Sequence, residues 1–325
     1  MVDVSIIIVN YCTPELIVEC LETIHQFTKR VSYEVIVVDN QSKGDDEGFI
    51  KKHFPSTIWL SMGYNSGFGR ANNAAMKIAK GRYFLLLNSD TKLFEAVIDT
   101  CVEKLDKRPD AIAGGAYQVY PDLTPRAFYH TFTFRRDFWI VPPKFRKYLD
   151  SLITYTQYKD PEQVDYIAAA FLMVRREGFE KTGGFDEEFF LYGEDTEWGN
   201  RLGKIGKQLV FKDCRIIHEE WGSKPERYED AQKYTYFNRF DYQIQLSNIV
   251  WIRKQYGVLH FFFLMLHYWI WVPVFFLMKI SLNIIKLKNP FGDLENQKKF
   301  AHMIAVFSDY FWRILLKKPT FYKIK

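Results

Sequence analysis

The sequence predicts an α/β protein built on a mostly parallel, doubly wound sheet with helices on both faces. Short apolar runs recur at Val4–Val9, Glu34–Val38 and Tyr83–Leu87. Amphipathic helical stretches alternate with them through the first 115 residues. Each run also exits into polar side chains, at Asn10-Tyr11, Asp39-Asn40-Gln41-Ser42 and Asn88-Ser89-Asp90. Unbroken apolar runs read as strands buried on both faces, the pattern of a parallel sheet. The strand–helix alternation then sets the layers. Polar residues at the carboxyl ends of such strands stand where open α/β sheets bind ligands.

In chain order, Val4–Val9 is the first strand. Thr13-Pro14 starts a helix, with Thr as N-cap and Pro in the first turn. Its apolar stripe is Leu16, Ile17, Cys20, Leu21, Ile24 and Phe27. Glu34–Val38 and Ile58–Leu60 are the next strands. Asn65-Ser66-Gly67-Phe68-Gly69-Arg70 leads into a helix from about Arg70 to Ala79. The Tyr83–Leu87 strand, a helix near Phe94–Leu105 and a strand at Ala111–Gly115 complete this half. Residues 116–160 break the rhythm with Pro121, Pro125, Pro142 and Pro143 among Phe128, Tyr129, Phe132, Phe134, Arg135, Arg136 and Trp139. A long aperiodic insertion of this kind is a variable surface excursion or a functional loop touching an acceptor or a membrane. Order returns with a strand at Tyr166–Val174, a Gly183-Gly184-Phe185-Asp186 turn, a helix from Glu194 to about Ile205, and short strands at Gln208–Phe211 and Arg215–Ile217 ending in His218.

The last quarter has a different character. Val258–Met278 is 21 residues without Asp, Glu, Lys or Arg, long enough to span a bilayer or to lie in its interface. Lys279, Lys286, Lys288, Lys298 and Lys299 follow, a basic rim suited to an anionic leaflet. Phe300–Leu316 is a second amphipathic helix. Residues 251–325 hold twelve Lys and Arg against Asp293, Glu295 and Asp309, a net of +9; the whole chain carries +5, which leaves about −4 for residues 1–250. The positive charge belongs to the tail, so a nucleic-acid footprint over the whole protein is not expected. Cys12, Cys20, Cys101 and Cys214 are scattered through apolar segments without a CxxC pair, which reads as reduced core thiols in a cytosolic catalytic domain. The first strand lacks the flanks of a secretory signal.

Four stretches, in order and spacing, resemble the large inverting glycosyltransferase family 2, whose members have the GT-A fold. They are Ser5–Tyr11, Val37–Ser42, Asn65–Asn73 with Leu87–Asp90, and Gly183–Asp186 with Gly193-Glu194-Asp195. The similarity covers residues 1 to about 225 and is nearest to bacterial rhamnosyltransferase-type enzymes that build lipid-linked polysaccharides. It implies a glycosyltransferase domain over 1–250, divided into a nucleotide-binding half (1–115) and an acceptor half (116–250), with 251–325 as a helical membrane-associated appendage.

The resemblance also implies roles. Asn10, Tyr11 and Asn65 would lie beside the nucleotide, and Asp39 would accept a hydrogen bond from the imide N–H of uracil or thymine. Arg70 would approach the diphosphate. Asn88 and Asp90 stand where the family has its DXD signature, Asn88 replacing the first carboxylate. Asp90 and His218 would hold a divalent cation, Mg²⁺ or Mn²⁺, that leans on substrate phosphates. Asp195 would be the general base. Inversion by direct displacement needs one carboxylate to deprotonate the acceptor hydroxyl and no protein nucleophile. Glu194, Glu197 and aromatic neighbours would raise its pKa toward neutrality, and Glu194 would orient the site. Trp198 and Gly199 depart from the family's usual acidic-Leu continuation and would reshape the acceptor pocket. The implied partners are a nucleoside-diphosphate sugar (dTDP-rhamnose or a UDP-hexose), a saccharide or lipid-linked saccharide acceptor, an anionic membrane surface at the cytoplasmic face of the bacterial cell membrane, and a second copy of the chain. Two other readings compete. A dinucleotide oxidoreductase needs GxGxxG after the first strand, where this chain has Asn10-Tyr11-Cys12-Thr13-Pro14. A non-catalytic membrane scaffold has no use for Asp39, Asp90 and Asp195 together.

Overall fold

The computed structural model describes residues 2–125, 129–130, 139–140, 158–219 and 239–324. The aromatic and basic positions Phe128, Phe132, Phe134, Arg135 and Arg136, on which the expectation of a functional insertion rests, lie outside the described residues, as does Trp221.

One compact unit holds the described residues up to 130, 158–190 and 194–219. Its strands β1 (Val4–Asn10), β2 (Tyr33–Asp39), β3 (Ile58–Ser61) and β4 (Tyr83–Leu87) are parallel, in the order β3-β2-β1-β4. Helices α1 (Pro14–Phe27), α2 (Asp46–His53) and α3 (Gly67–Ile78) connect them. The chain continues through β5 (Thr91–Leu93), α4 (Val97–Asp106) and β6 (Ala111–Val119), then β7 (Tyr129–His130), β8 (Gln163–Val164), β9 (Tyr166–Ile167) and β10 (Phe171–Arg175). Next come α5 (Arg176–Thr182), α6 (Glu194–Leu202) and β11 (Lys207–His218). The main sheet runs on from β4 as β10-β6-β11-β5, with β8 beside β11 and β7 paired to β9 in a separate ribbon. β10 is antiparallel to both β4 and β6.

The period of two explains why the strands are apolar throughout. Ile6, Ile8, Val37, Leu85 and Leu87 pack with α1 and α4 on one face, whereas Ile7, Ile36, Val38, Phe84 and Leu86 pack with α3 and α6 on the other. Deleting a side chain such as Leu86 would cost about 2–5 kcal/mol, because both faces are closed. A buried carboxylate, Asp99 of α4, accepts backbone N–H bonds from Lys29, Arg30 and Val31, fixing the turn after α1.

The mostly parallel sheet flanked by helices is as predicted, with differences of detail. Thr13 precedes Pro14 at the first helical position, but its side chain makes no cap bond; its N–H goes to Asn10 Oδ1 and its hydroxyl faces Asn10 and Ser89. The apolar run Tyr166–Val174 is two strands, since β9 pairs with β7 and β10 joins the main sheet. The segments at 208–211 and 215–217 are one strand with an irregularity between Phe211 and Arg215. Of the thiols, Cys20, Cys101 and Cys214 are buried but Cys12 is exposed. It sits beyond the end of β1 in a left-handed conformation (φ 57°), in the turn rather than the strand.

The second unit holds the described residues 139–140, 191–193 and 239–324. Helix α7 (Arg239–Ile285) is interrupted at Gly257, whose φ of 88° leaves the helical region, and α8 (Glu295–Leu315) follows. α7 is long and apolar enough to cross a membrane. α8 lies along it through Phe261–Phe311 stacking, the Trp269–Phe311 and Phe275–Phe300 ring contacts, and a Trp269 Nε1–H bond to Ser308 Oγ. Earlier in α7, Gln243 pins the C-terminal segment by donating to Tyr322 O and accepting from Ile324 N.

Candidate active site

The carboxyl ends of β1, β2 and β4 lie side by side because these strands are parallel neighbours in register, with Asn10 opposite Asp39. Asn10 is fully buried. Its Nδ2 donates toward Asp39 Oδ1 (3.2 Å), Ser42 Oγ (2.9 Å) and Asp46 Oδ2 (2.8 Å). Asp39 also accepts from Ser42 N, so a tight turn closes over its carboxylate. Asn40 takes the next link, donating to Gly67 O and accepting from Ser66 N and Oγ. That bond seats the N-terminus of α3 against the end of β2. Gly67 has φ +77°, and a Cβ there would stand 2.1 Å from Phe190 O, so only glycine fits.

The network crosses from β1 to β4 through Thr13 Oγ1, which lies 3.4 Å from both Asn10 Oδ1 and Ser89 Oγ. Asn88 and Asp90 flank Ser89. Asn88 Nδ2 lies 3.2 Å from His218 Nε2, and Asp90 Oδ1 lies 3.3 Å from the same nitrogen. On the far side of the ring, His218 Nδ1 is 2.8 Å from Gln118 Oε1. A carbonyl oxygen only accepts, so Nδ1 carries the proton and the Nε2 lone pair faces Asn88 and Asp90. Asn88 Nδ2 is placed to donate to that lone pair, with the Asp90 carboxylate beside it, and both Asp90 and His218 are buried. The donor set, one carboxylate oxygen and one oriented imidazole, fits a divalent cation that takes its remaining ligands from a substrate. Among the described residues, no group of three or more His, Cys, Asp and Glu gathers to hold a metal by itself.

Asp195 belongs to a different element, the first turn of α6. Asn88 N–H donates to Ala170 O, so the segment entering β10 abuts the exit of β4. Just upstream, Tyr166 of β9 faces the first turn of α6: burial pushes its phenol well above the usual range, with the charge of Asp195 adding to it. Asp195 Oδ1 accepts from Thr196 N at 2.8 Å. The helix behind it is rigidly placed. Gly199 allows Tyr166 to approach (a Cβ there would be 2.4 Å from Tyr166 Cβ), and Trp198 Nε1 donates to Thr182 Oγ1. Glu197 does not crowd Asp195 as a bare charge, because it is paired two-pronged with Arg201. Glu194 is buried at the helix start.

Two side-chain groups thus lie at neighbouring strand ends, Asp39–Asn10–Thr13–Ser89 and Asn88–Asp90–His218–Gln118, adjacent along the chain at Ser89, and Asp195 lies near Tyr166. Tyr11 is 46% exposed at the outer edge. Asn65 makes a local bond, accepting from Gly67 N. Arg70 Nε donates to Glu187 O, which engages it with the turn before α6. Two members escape the sequence reading: Asp46 and Gln118. Gln118 had a signal, an amide inside an otherwise apolar strand; it lies beyond Gly115, where the predicted strand stops.

A doubly wound sheet with amides and carboxylates gathered on its carboxyl rim is the architecture of a nucleotide-binding α/β protein. The chain belongs to the glycosyl transferase family 2, whose profile matches residues 5–183. It is 27% identical over 229 residues to the O-antigen biosynthesis protein RfbC of Myxococcus xanthus, 68% of this chain but 18% of that protein. It is also 27% identical to the N-acetylglucosaminyl-diphospho-decaprenol L-rhamnosyltransferase of Mycobacterium tuberculosis, over 57% of this chain and 66% of the relative. The chain therefore spans less than two thirds of either. Rhamnosyltransferase WbbL of Escherichia coli is 26% identical over 64% of this chain and 80% of its own length. Among solved structures, the mannosyltransferase PcManGT of Pyrobaculum calidifontis, in complex with GDP-Man and Mn²⁺, superposes with a TM-score of 0.55 at 15% identity, covering 97% of this chain and 87% of that one. TarS of S. aureus in complex with UDP-GlcNAc gives 0.54 at 16% identity, over 94% and 80%. The fold is GT-A-like.

Proposed function

We propose that this chain is an inverting glycosyltransferase that moves a sugar from a nucleoside-diphosphate donor to a saccharide, lipid-linked acceptor in cell-surface polysaccharide synthesis. The observation that carries the reading is the gathering, at the ends of adjacent strands, of Asp39 with Asn10, Thr13 and Ser89 and of the Asp90–His218 pair next to Ser89 in the chain. It brings together a base-recognising carboxylate and a diphosphate-binding one.

In this mechanism Asp39, held by Asn10 and Ser42, accepts the imide N–H of a uracil or thymine ring, and Tyr11 and Asn65 border the nucleotide. Asp90 and His218, with Asn88 alongside, would hold a divalent cation, which would supply charge neutralisation of the departing diphosphate. Asp195 takes the proton of the acceptor hydroxyl as its oxygen bonds to the anomeric carbon. The bond from that carbon to the diphosphate oxygen breaks with its electron pair, and the nucleoside diphosphate leaves. The configuration inverts because a single displacement occurs. Arg70 lies at the margin of the donor site. In this reading residues 1–115 serve as the nucleotide half, 116–250 as the acceptor half and 251–325 as the membrane appendage, and the enzyme works at the cytoplasmic face of the cell membrane beside lipid-linked substrates. The relatives named for rhamnosyl transfer support a deoxysugar donor such as dTDP-rhamnose over a UDP-hexose.

The test is a panel of nucleotide sugars incubated with the purified protein, an acceptor extract and Mg²⁺ or Mn²⁺, read by nucleoside diphosphate release. One donor giving metal-dependent release supports the reading. Release from none, together with no thermal stabilisation by any nucleoside diphosphate, overturns it in favour of a scaffold.

A further inference from the structure

We infer that the α7–α8 hairpin is an in-plane membrane foot: it lies along one leaflet of an anionic bilayer with one face submerged, and does not cross it. This rests on the membrane attachment proposed above and specifies its geometry.

The argument starts from which residues α8 covers. Beyond Gly257, Phe261, Leu264, Met265 and Tyr268 are buried, and Phe261 and Phe275 meet Phe311 and Phe300 of α8. On the opposite side of α7, Leu259, Phe263, Leu266, Ile270, Leu277 and Ile284 are exposed. Their spacings of three, four and seven put them on one face of a helix. No acidic or basic residue interrupts that stripe, and Lys279 lies on the other side, paired with Asp293 of the interhelical turn. From Leu259 to Ile284 the stripe is roughly 38 Å long at 1.5 Å per residue, more than the roughly 30 Å of a hydrocarbon core.

Length alone would permit spanning, but α8 does not. It is fastened along the same stretch of α7, from Arg253, which donates to Leu315 O, to Asn283, which donates to Gly292 O. Its outward face carries Lys298, His302, Asp309 and Arg313, with Trp312 and Leu316 exposed beside them at its end and the His302 ring near Tyr242 of α7, while Phe300, Ile304, Phe307 and Phe311 are turned inward. Were α7 to cross the bilayer, it would drag this charged face into hydrocarbon with it, at a cost per charge that the hairpin has no means of offsetting. Lying flat satisfies both helices: the α7 stripe is submerged and the α8 face is in water.

The basic residues identify the leaflet. Exposed Lys286 and Lys288 follow one end of the stripe, and exposed Lys317 and Lys318 follow α8, whose end is bonded to Arg253 near the other. Positive charge at both ends suits a single anionic surface. A spanning helix would instead show it biased to one side.

Full-length protein is tested by flotation with phosphatidylcholine vesicles, with and without phosphatidylglycerol. Spin labels are placed singly at Phe263→Cys, Ile270→Cys, Leu277→Cys, His302→Cys and Asp309→Cys in a Cys12→Ser background, and depth is read from collision with oxygen against a water-soluble nickel chelate. Expected are flotation that needs the anionic lipid, a common shallow depth at 263, 270 and 277, and aqueous exposure at 302 and 309. Lys286→Glu with Lys288→Glu should weaken vesicle binding roughly tenfold or more. Depth passing through the bilayer centre between 263 and 277, with 302 and 309 shielded from nickel, overturns the in-plane geometry and leaves membrane attachment standing. Absence of flotation with either vesicle, with 263–277 fully aqueous, overturns both.

Discussion

Gln118 and His218 are joined by a 2.8 Å hydrogen bond across neighbouring strands β6 and β11, and Gln118 Oε1 as acceptor favours the tautomer whose proton is on Nδ1, the ring nitrogen turned away from Asp90. Gln118→Leu removes the acceptor, frees the imidazole to change tautomer and leaves its volume nearly unchanged. We expect the Mn²⁺ concentration for half-maximal turnover to rise 10- to 100-fold, with turnover recovered at saturating metal. A metal titration at fixed donor checks it, and equal loss at every metal concentration would refute the tautomer argument.

Asp195→Asn keeps the side-chain shape and the Thr196 N–H bond but cannot take a proton. Turnover should fall by about 10²–10⁴-fold while nucleoside diphosphate still raises the melting temperature as in the wild type. Loss of nucleotide stabilisation together with turnover would instead mean that Asp195 serves donor binding.

Asn10 is fully buried, and its amide is shared between two carboxylates, Asp39 and Asp46. In Asn10→Leu both lose a donor inside the fold, so a destabilisation of about 3 kcal/mol or more is expected. Denaturant unfolding measures it, and nucleotide affinity should fall in the same variant.

Cys12 is the exposed thiol, whereas burial pushes Cys20 up to about 12 and also raises Cys214 to about 12 and Cys101 well above its ordinary value. Native alkylation near pH 8 should therefore modify Cys12 and spare the other three. Because Cys12 N–H is bonded to Ser42 Oγ beside Asp39, a bound nucleoside diphosphate should slow that labelling. Mass spectrometry of the peptides reads both effects.

Ser32 and Arg82 hold the Asp3 carboxyl at about 2, below its ordinary range. A depressed carboxylate contributes stability that is present above its unfolded pKa, near 4, and is lost as the pH falls toward 2. Asp3→Asn should flatten the acid limb of the unfolding profile in that window and leave its slope at neutral pH unchanged.

The first 115 residues were legible in the sequence because β1, β4 and most of β2 are closed on both faces, so burial writes an unbroken apolar run, and each run ends where polarity returns. Asn10, Asp39, Asn88 and Asp90 are consequently strand-end residues that period and punctuation reveal. Residues 166–174 were harder. An apolar run carries no mark of partner or direction, so nothing in it tells that β9 turns to a separate ribbon while β10 enters the main sheet reversed. Gln118 and Asp46 act through partners distant in sequence, His218 and Asn10, and only the register of the sheet brings each pair together. Thr13 stands at the N-cap position before Pro14, but its hydroxyl is turned to Asn10 Oδ1 and Ser89 Oγ and accepts no N–H of the helix.

The reversal of β10 has a mechanical corollary. Because this strand runs against β4 and β6, its entrance rather than its exit opens onto the ligand edge, and the loops at its other end discharge onto the far side of the sheet. The stretch feeding that entrance can therefore be lengthened or recomposed without disturbing the parallel strands β1, β2 and β4.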